Sequence, residues 1–175
     1  MFVKICGIKN IETAEKVIEL GGDCVGFVAH KKSKRYITPE EAEKIVSAVK
    51  GRAVTVAVGV SADECVDYGF CDYIQADDAC RSERDILCGY AEPAGIFKYF
   101  LYDKSRGEGV FSEYPDWIEE YRDRLILAGG LTPENVADVV KRWRPFGVDV
   151  SSGVETEGIK DFEKIKRFIY EAKNG

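Results

Sequence analysis

Two segments near the end of the chain, RLILAGGLTPENV (124–136) and FGVDVSSGVE (146–155), decide between the folds that the sequence permits. Each begins as an apolar run of strand length and ends in a glycine-containing turn. Such turns after the last two strands are typical of an eight-stranded βα barrel. The competing fold, a doubly wound open sheet, commonly carries G-x-G-x-x-G after its first strand, and residues 2–6 are not followed by that motif. The two segments therefore favour the barrel.

Apolar runs of strand length alternate with amphipathic stretches of helix length along the rest of the chain, as expected of βα units around a parallel sheet. Strands are predicted at 2–6, 24–29, 53–60, 73–76, 96–102, 124–129 and 146–152. Residues 86–91 are read either as a weak strand or as a helix. Helices are predicted to begin near Asn10, at the Thr38-Pro39-Glu40-Glu41 capping box, at Thr132-Pro133-Glu134 and near Phe162.

The length of the chain predicts one trimmed domain. Its 175 residues fall short of the ~250 residues of a typical barrel of this kind. Hydrophobic residues make up 45% of the chain, enough for one core. We therefore expect a single (β/α)8 TIM barrel over residues 1–175, with reduced helices around strands 4 to 6.

Composition argues against several classes of function. The formal charge is -6, without long runs of one sign, and no apolar run reaches the ~18 residues of a membrane span. We expect a soluble cytoplasmic protein that binds neither nucleic acid nor membrane. The six cysteines form no C-x-x-C pair and lie far from the single histidine, His30, so neither a metal site nor an organic cofactor is expected.

Residues at the carboxyl ends of the predicted strands are the candidates for chemistry, since active sites of such barrels lie there. They are Cys6, Arg35, Gln75, Asp103, Gly129, Gly130, Asp149, Ser151, Ser152 and Gly153. Taken alone, Cys6 is more often a small buried hydrophobe than a catalyst. An aspartate that closes an apolar strand, such as Asp103, needs solvent or a partner. The glycines and serines of the last two turns could cradle a phosphate or could simply form tight turns.

Five motifs together resemble a known family: KICGI (4–8), GGDCVGFV (21–28), SKRYITPEEA (33–42), LAGGLTPENV (127–136) and VDVSSGVE (148–155) with GIKD (158–161). The chain is similar to phosphoribosylanthranilate isomerases of tryptophan biosynthesis. The resemblance implies an Amadori rearrangement of N-(5-phosphoribosyl)anthranilate to the 1-deoxyribulose 5-phosphate derivative by general acid/base catalysis. It implies a small phosphorylated substrate, no cofactor, and a monomer or homodimer.

The resemblance also assigns roles to residues. It makes Cys6 the general base, Asp103 the general acid and Arg35 the partner of the anthranilate carboxylate. It places phosphate binding on Gly129, Gly130, Ser152 and Gly153, with Gln75 and Asp149 in support. Because a thiol must ionise to act as a base, we add the hypothesis that Lys4 or local backbone dipoles favour the thiolate.

The middle of the chain departs from the family pattern. Gln75-Ala76-Asp77-Asp78 replaces Gln-Leu-His-Gly, the stretch from Gln75 to Asp103 is shorter by about one βα unit, and the Gly-Thr-Gly loop expected after the acid appears only as RGEGVFSEYPDW (106–117). Asp77 is therefore an alternative acid. Two other functions remain open: a catalytically silent phosphate-sugar binding barrel, and the related isomerase of histidine biosynthesis, which has Asp where this chain has Cys6.

Overall fold

The computed structural model describes residues 1–105 and 113–175, and within them eight parallel strands close into a barrel. The strands are β1 (Phe2–Cys6), β2 (Cys24–Val28), β3 (Val54–Val58), β4 (Tyr73–Ala76), β5 (Asp85–Gly89), β6 (Tyr99–Tyr102), β7 (Leu125–Leu127) and β8 (Gly147–Val150). Each strand pairs with the next, and β8 pairs with β1. The predicted TIM barrel is confirmed, and residues 86–91 contribute a strand rather than a helix.

Helices cover the barrel unevenly. The described α-helices are α1 (Ile11–Glu19), α2 (Pro39–Val49), α3 (Val136–Trp143) and α4 (Phe162–Asn174), and 3₁₀ turns at Ala62–Tyr68 and Asp116–Arg124 follow β3 and β6. The connections 77–84 and 90–98, which lie wholly within the described residues, contain no helix. The prediction of reduced helices around strands 4 to 6 is thus confirmed.

Side-chain caps explain where the helices begin. The Asn10 side chain accepts a hydrogen bond from the Thr13 amide at 2.7 Å, and Thr38 forms the predicted capping box with Glu41. The prediction that Thr132 starts a helix was wrong by about one turn. Asn135 instead holds the preceding loop, because its Oδ1 accepts from the Thr132 amide at 2.8 Å, and α3 begins at Val136.

The side chain of Asp85 closes the short connection between β4 and β5. Its carboxylate accepts hydrogen bonds from the Arg81 amide at 2.7 Å, the Ser82 amide at 2.9 Å and the Ser82 hydroxyl at 3.0 Å. These bonds satisfy backbone groups that would otherwise lack partners in a connection of this length. The buried Asp85 carboxylate therefore stabilises a connection that contains no helix, whereas helices form several of the other connections of the barrel.

The barrel interior changes character along its axis. Its middle is apolar, with the buried cluster Cys24, Val56, Ile86, Leu101, Ile126 and Ala128. Aromatic rings fill the amino-terminal end, where Tyr99 stacks on Phe146 at 4.7 Å between centroids. Side chains alternate along a strand, so Lys4 and Cys6 follow Phe2 into the interior from β1. The polar groups of the interior consequently lie towards the carboxyl ends of the strands.

The Asp85 carboxylate is expected to be a large contributor to stability. Replacing Asp85 with alanine should lower the free energy of unfolding by about 3 kcal/mol, since hydrogen bonds to charged groups contribute ~1.5–3 kcal/mol each and water replaces part of them. Urea unfolding measures the change. Glu83→Ala, an exposed carboxylate in the same connection, is the matched control. Equal effects of the two substitutions would contradict this role.

Candidate active site

Cys6 ends β1 beside a buried ion pair. The thiol-bearing residue is 7% exposed, and Lys4, two residues earlier on the same strand face, is fully buried. The Lys4 ammonium donates to the Asp149 carboxylate at 2.8 Å, and the two residues are direct partners in the β1–β8 ladder. The pair therefore lies at the seam where the barrel closes, immediately below Cys6.

The charges around Cys6 oppose one another. Burial raises the pKa of the Cys6 thiol, the Lys4 and Lys160 ammonium groups lower it, and the Asp149 carboxylate raises it, with a net increase. Lys4 thus acts in the direction that we hypothesised, but burial outweighs it. Burial alone would lower the pKa of Lys4, yet Asp149 reverses this and the net shift is upward, so Lys4 stays charged. The net upward shift of the Cys6 pKa favours the protonated thiol.

Asp103 follows β6 and lies against the turn after β7. Its Oδ1 accepts hydrogen bonds from the Ser105 amide at 2.8 Å and the Ser105 hydroxyl at 2.6 Å. A Cβ at Gly129 would lie 2.7 Å from the same oxygen, and Gly129 has φ +87. Glycine at this position therefore permits both the turn and the approach of the carboxylate.

A small cavity of about 50 Å³ joins the predicted acid to the predicted phosphate loops. Its lining includes Asp103, Ser105, Gly129, Gly130, Asp149, Ser151, Ser152 and Gly153. The hydrogen bonds found within the described residues do not use the backbone amides of Gly129, Gly130 or Ser152 as donors. Backbone amides that line a cavity without another partner are suited to bind an anion.

Close packing joins the two loops. A Cβ at Gly153 would lie 1.9 Å from the carbonyl oxygen of Leu131, so the turn after β8 contacts the turn after β7 through bare backbone. The alternative acid, Asp77, does not reach this cavity. It lines a separate cavity of about 360 Å³ with Cys80, Cys88 and Asp103. Asp103 lines both the 50 Å³ cavity and the 360 Å³ cavity, whereas Asp77 lines only the larger one.

Arg35 is held by a cluster that the sequence did not reveal. Its Nε and Nη2 donate to the two carboxylate oxygens of Glu155, each at 2.8 Å. Lys160 donates to the same carboxylate at 2.7 Å and to the Ser151 carbonyl at 2.9 Å. Ser151 in turn donates to the Cys6 carbonyl at 3.1 Å. These bonds connect the loop after β2, the segment after β8 and the end of β1.

Burial and the neighbouring charges act in opposite directions on this cluster. Burial opposes the charge of Glu155, yet hydrogen bonds from Arg35 and Lys160 bring its pKa below the usual value. Burial lowers the pKa of Lys160 more than Glu155 raises it. Two members of this cluster, Glu155 and Lys160, lie in the motifs VDVSSGVE and GIKD, on either side of Gly158. No local sequence pattern indicates that they contact Arg35.

Gln75 is the penultimate residue of β4, and its side chain lies in the interior. The residue is 6% exposed, and its Oε1 finds no hydrogen-bond partner among the described residues. A buried acceptor without a partner is costly unless a ligand or solvent supplies one.

The loop RGEGVFSEYPDW of the sequence analysis has residues 106–112 outside the described part of the chain. Within that part, no group of side chains is arranged to hold a metal ion, and no helix is long and apolar enough to cross a membrane.

Comparisons with known proteins show which family the chain belongs to. The family model described as N-(5'-phosphoribosyl)anthranilate (PRA) isomerase matches residues 3–70 and 85–171. The chain belongs to this family. A relative from Thermotoga maritima, named N-(5'-phosphoribosyl)anthranilate isomerase, is 38% identical over 98% of both chains, and one from Bacillus cereus is 37% identical over 98% of both. This protein is therefore an isomerase of tryptophan biosynthesis that acts on N-(5'-phosphoribosyl)anthranilate.

Solved structures of relatives share the fold. The crystal structure of the isomerase from Thermotoga maritima superposes with a TM-score of 0.79 at 34% identity, with both chains fully covered. A second isomerase structure, in complex with reduced 1-(o-carboxyphenylamino)-1-deoxyribulose 5-phosphate, has a TM-score of 0.75 at 34% identity and again covers both chains fully. The family model leaves residues 71–84 unmatched, and these include Gln75-Ala76-Asp77-Asp78, whereas it matches the remainder of the stretch to Asp103.

The contact between the two loops predicts a strict requirement for glycine at position 153. Gly153→Ala should lower the free energy of unfolding by about 1–3 kcal/mol, the usual cost of overpacking, because the added Cβ meets rigid backbone. Urea unfolding measures this. Gly69→Ala is the control, since a Cβ there would lie 3.8 Å from its nearest neighbour. Unchanged stability in the Gly153 variant would contradict the described contact.

Proposed function

We propose that the isomerisation is carried out by Cys6 as general base and Asp103 as general acid. The observation that carries this proposal is that both residues lie at the carboxyl end of one parallel barrel, where Asp103 shares a cavity with the glycine-containing turns after β7 and β8. In the closed ring, β1 lies between β8 and β2. Cys6 consequently lies between the phosphate loops on one side and Arg35 on the other.

The acid begins the reaction. The Asp103 carboxyl group donates its proton to the ring oxygen of the ribose, the C1–O bond breaks, and the nitrogen lone pair forms the protonated Schiff base at C1. The ring oxygen leaves as a hydroxyl group. The contacts of Asp103 with Ser105 and Gly129 fix its position for this transfer.

The base completes the reaction. The Cys6 thiolate removes the proton from C2, the C–H electron pair forms the C1=C2 bond, and the C1=N pair returns to nitrogen to give an enolamine. The enolamine then becomes the 2-ketone as C1 takes up a proton and the C2 hydroxyl group releases one. Burial raises the pKa of the Cys6 thiol, and the positive charges of Lys4 and Lys160 lower it, so the two lysines favour formation of the thiolate.

The remaining groups hold the substrate. The amides of Gly129, Gly130, Ser152 and Gly153 bind the phosphate, and Arg35 binds the anthranilate carboxylate. Gln75 accepts a hydrogen bond from a substrate hydroxyl group, which would satisfy its unpartnered Oε1. Asp149 supports the site through its ion pair with Lys4.

The wider setting follows the family. We place the reaction in the cytoplasm, in a chain that folds as one domain over residues 1–175 and requires no cofactor. A related structure is described as monomers generated from a dimeric isomerase of Thermotoga maritima. This chain accordingly works as a monomer or a homodimer on a small phosphorylated substrate, without nucleic acid or membrane.

The assignment of acid and base is tested by turnover. Loss of the fluorescent anthranilate ribonucleotide is followed with wild-type protein, Cys6→Ser and Asp103→Asn, and each substitution should reduce kcat by at least ~10²-fold, the usual contribution of a positioned acid or base. Asp77→Asn is the matched control and should retain activity. Turnover that survives both site substitutions would reject the mechanism.

The same assay separates the rival functions. A silent phosphate-sugar binding barrel would bind the reduced product analogue without turning over the ribonucleotide. The isomerase of histidine biosynthesis would turn over its own aminoimidazole ribonucleotide in preference. Activity of the wild-type protein on the anthranilate ribonucleotide contradicts both alternatives.

The charges near Cys6 predict how its ionisation responds to substitution. Lys160→Met removes a cation that lowers the thiol pKa, so the pKa of Cys6 should rise further. The rate of Cys6 alkylation by iodoacetamide, followed against pH by mass spectrometry of the Cys6 peptide, reports the pKa. Lys166→Met, an exposed lysine on α4, should leave it unchanged. A thiol pKa that falls or stays constant in the Lys160 variant would contradict the electrostatic account.

A further inference from the structure

Glu155 lies between two cations and uses both of its oxygens. Its Oε1 accepts from Arg35 Nε at 2.8 Å and from Lys160 Nζ at 2.7 Å, and its Oε2 accepts from Arg35 Nη2 at 2.8 Å. The Glu155 side chain is 8% exposed and that of Lys160 is 6% exposed. Water screens such a buried arrangement little, so its geometry is well defined.

The guanidinium of Arg35 is engaged along one edge and available along another. The Nε–Nη2 edge faces Glu155, whereas Nη1 donates no hydrogen bond within the described part of the chain. The Arg35 side chain is 28% exposed and lines a cavity of about 400 Å³. An arginine can bind one carboxylate along each edge of its planar fork. The Nη1–Nη2 edge is therefore open to a second carboxylate.

The stem of Arg35 is fixed as well as its head. A Cβ at Gly7 would lie 2.6 Å from Arg35 Cδ, so the side chain packs closely on the end of β1. An unrestrained arginine loses rotamer freedom when it binds a ligand, at a cost of ~0.5–1.5 kcal/mol for a rotamer-rich side chain. The contacts with Glu155 and Gly7 already restrict the rotamers of Arg35, so binding of the substrate causes a smaller further loss of side-chain entropy.

The charges of the cluster leave a net attraction for an anion. Arg35 and Lys160 are cations and Glu155 is an anion, so the cluster carries a formal charge of +1. Hydrogen bonding to Glu155 raises the pKa of Arg35, which keeps the guanidinium charged. Without the carboxylate the two cations would repel each other, and Arg35 would lose the partner that orients it.

We propose that Glu155 is a positioning residue for the substrate carboxylate, acting through Arg35. Glu155 and Lys160 lie on a short hairpin, β9 (Glu155–Thr156) and β10 (Ile159–Lys160), directly after the phosphate loop. The hairpin thus sets the position of the carboxylate anchor relative to the phosphate anchor. This inference rests on the proposed contact between Arg35 and the anthranilate carboxylate.

The test compares two ligands that differ by the carboxylate alone. Reduced 1-(2-carboxyphenylamino)-1-deoxyribulose 5-phosphate and its phenylamino counterpart are titrated calorimetrically into wild-type protein and Glu155→Gln. Glu155→Gln should bind the carboxylated ligand about tenfold more weakly, as expected when an ionic contact loses its orientation, and the phenylamino ligand with unchanged affinity. In turnover assays KM should rise by a similar factor while kcat changes little, because uniform binding is lost.

Controls separate positioning from folding. Glu157→Gln, an exposed residue in the turn of the same hairpin, should bind both ligands like the wild type. In an Arg35→Met background, Glu155→Gln should cause no further loss for the carboxylated ligand. Equal weakening of both ligands, or no weakening of either, would overturn the proposal. If wild-type protein fails to turn over the ribonucleotide, the proposed function fails instead, and the two failures are thereby distinguished.

Discussion

The buried ion pair of Lys4 and Asp149 is the constraint around which the site is organised. It joins β1 to β8 at the seam of the barrel and separates the apolar middle of the interior from the polar mouth. Burying two charges is unfavourable unless they pair closely, and removal of one partner would leave an uncompensated charge. The pair therefore fixes both the local backbone and the electrostatic surroundings of Cys6, two residues away on the same face.

A second charged cluster extends this organisation to the loops after β2 and β8. Arg35, Glu155 and Lys160 connect the loop after β2 to the hairpin after β8, and Ser151 continues the connection to the backbone of Cys6. Opposing charges thus surround a thiol whose pKa burial raises. Burial favours the protonated thiol of Cys6, whereas the nearby Lys4 and Lys160 ammonium groups favour its thiolate form.

Much of the fold could be predicted because its determinants are local. Apolar runs marked the strands, and the caps at Asn10 and Thr38 marked the first two helices. One prediction, the start of α3, was wrong, and another, the strand or helix at residues 86–91, was left open. In both places the contacts of a single side chain determine the local structure. Asn135 moved the start of α3 by tying down the preceding loop, and Asp85 allowed a strand at a connection too short for a helix.

The candidate site could be predicted in part. Strand-end positions and motif resemblance were enough to name Cys6, Asp103 and the glycine-rich loops, which the barrel brings to one end. The partner of Arg35 could not be found in this way, since Glu155 lies 120 positions further along the chain and no local pattern links them. Contacts between loops of different strands depend on the closure of the barrel, so they emerge only in three dimensions.

A crystal structure of this protein with the reduced product analogue tests the central claim most directly. The account predicts the phosphate on the amides of Gly129, Gly130 and Ser152, with the sugar chain between Cys6 and Asp103. The Cys6 sulfur should lie within about 3–3.5 Å of C2 of the sugar, and the Asp103 carboxylate within the same distance of the former ring oxygen, as in a near-attack arrangement. A phosphate bound elsewhere, or a sugar chain beyond reach of both side chains, would contradict the account.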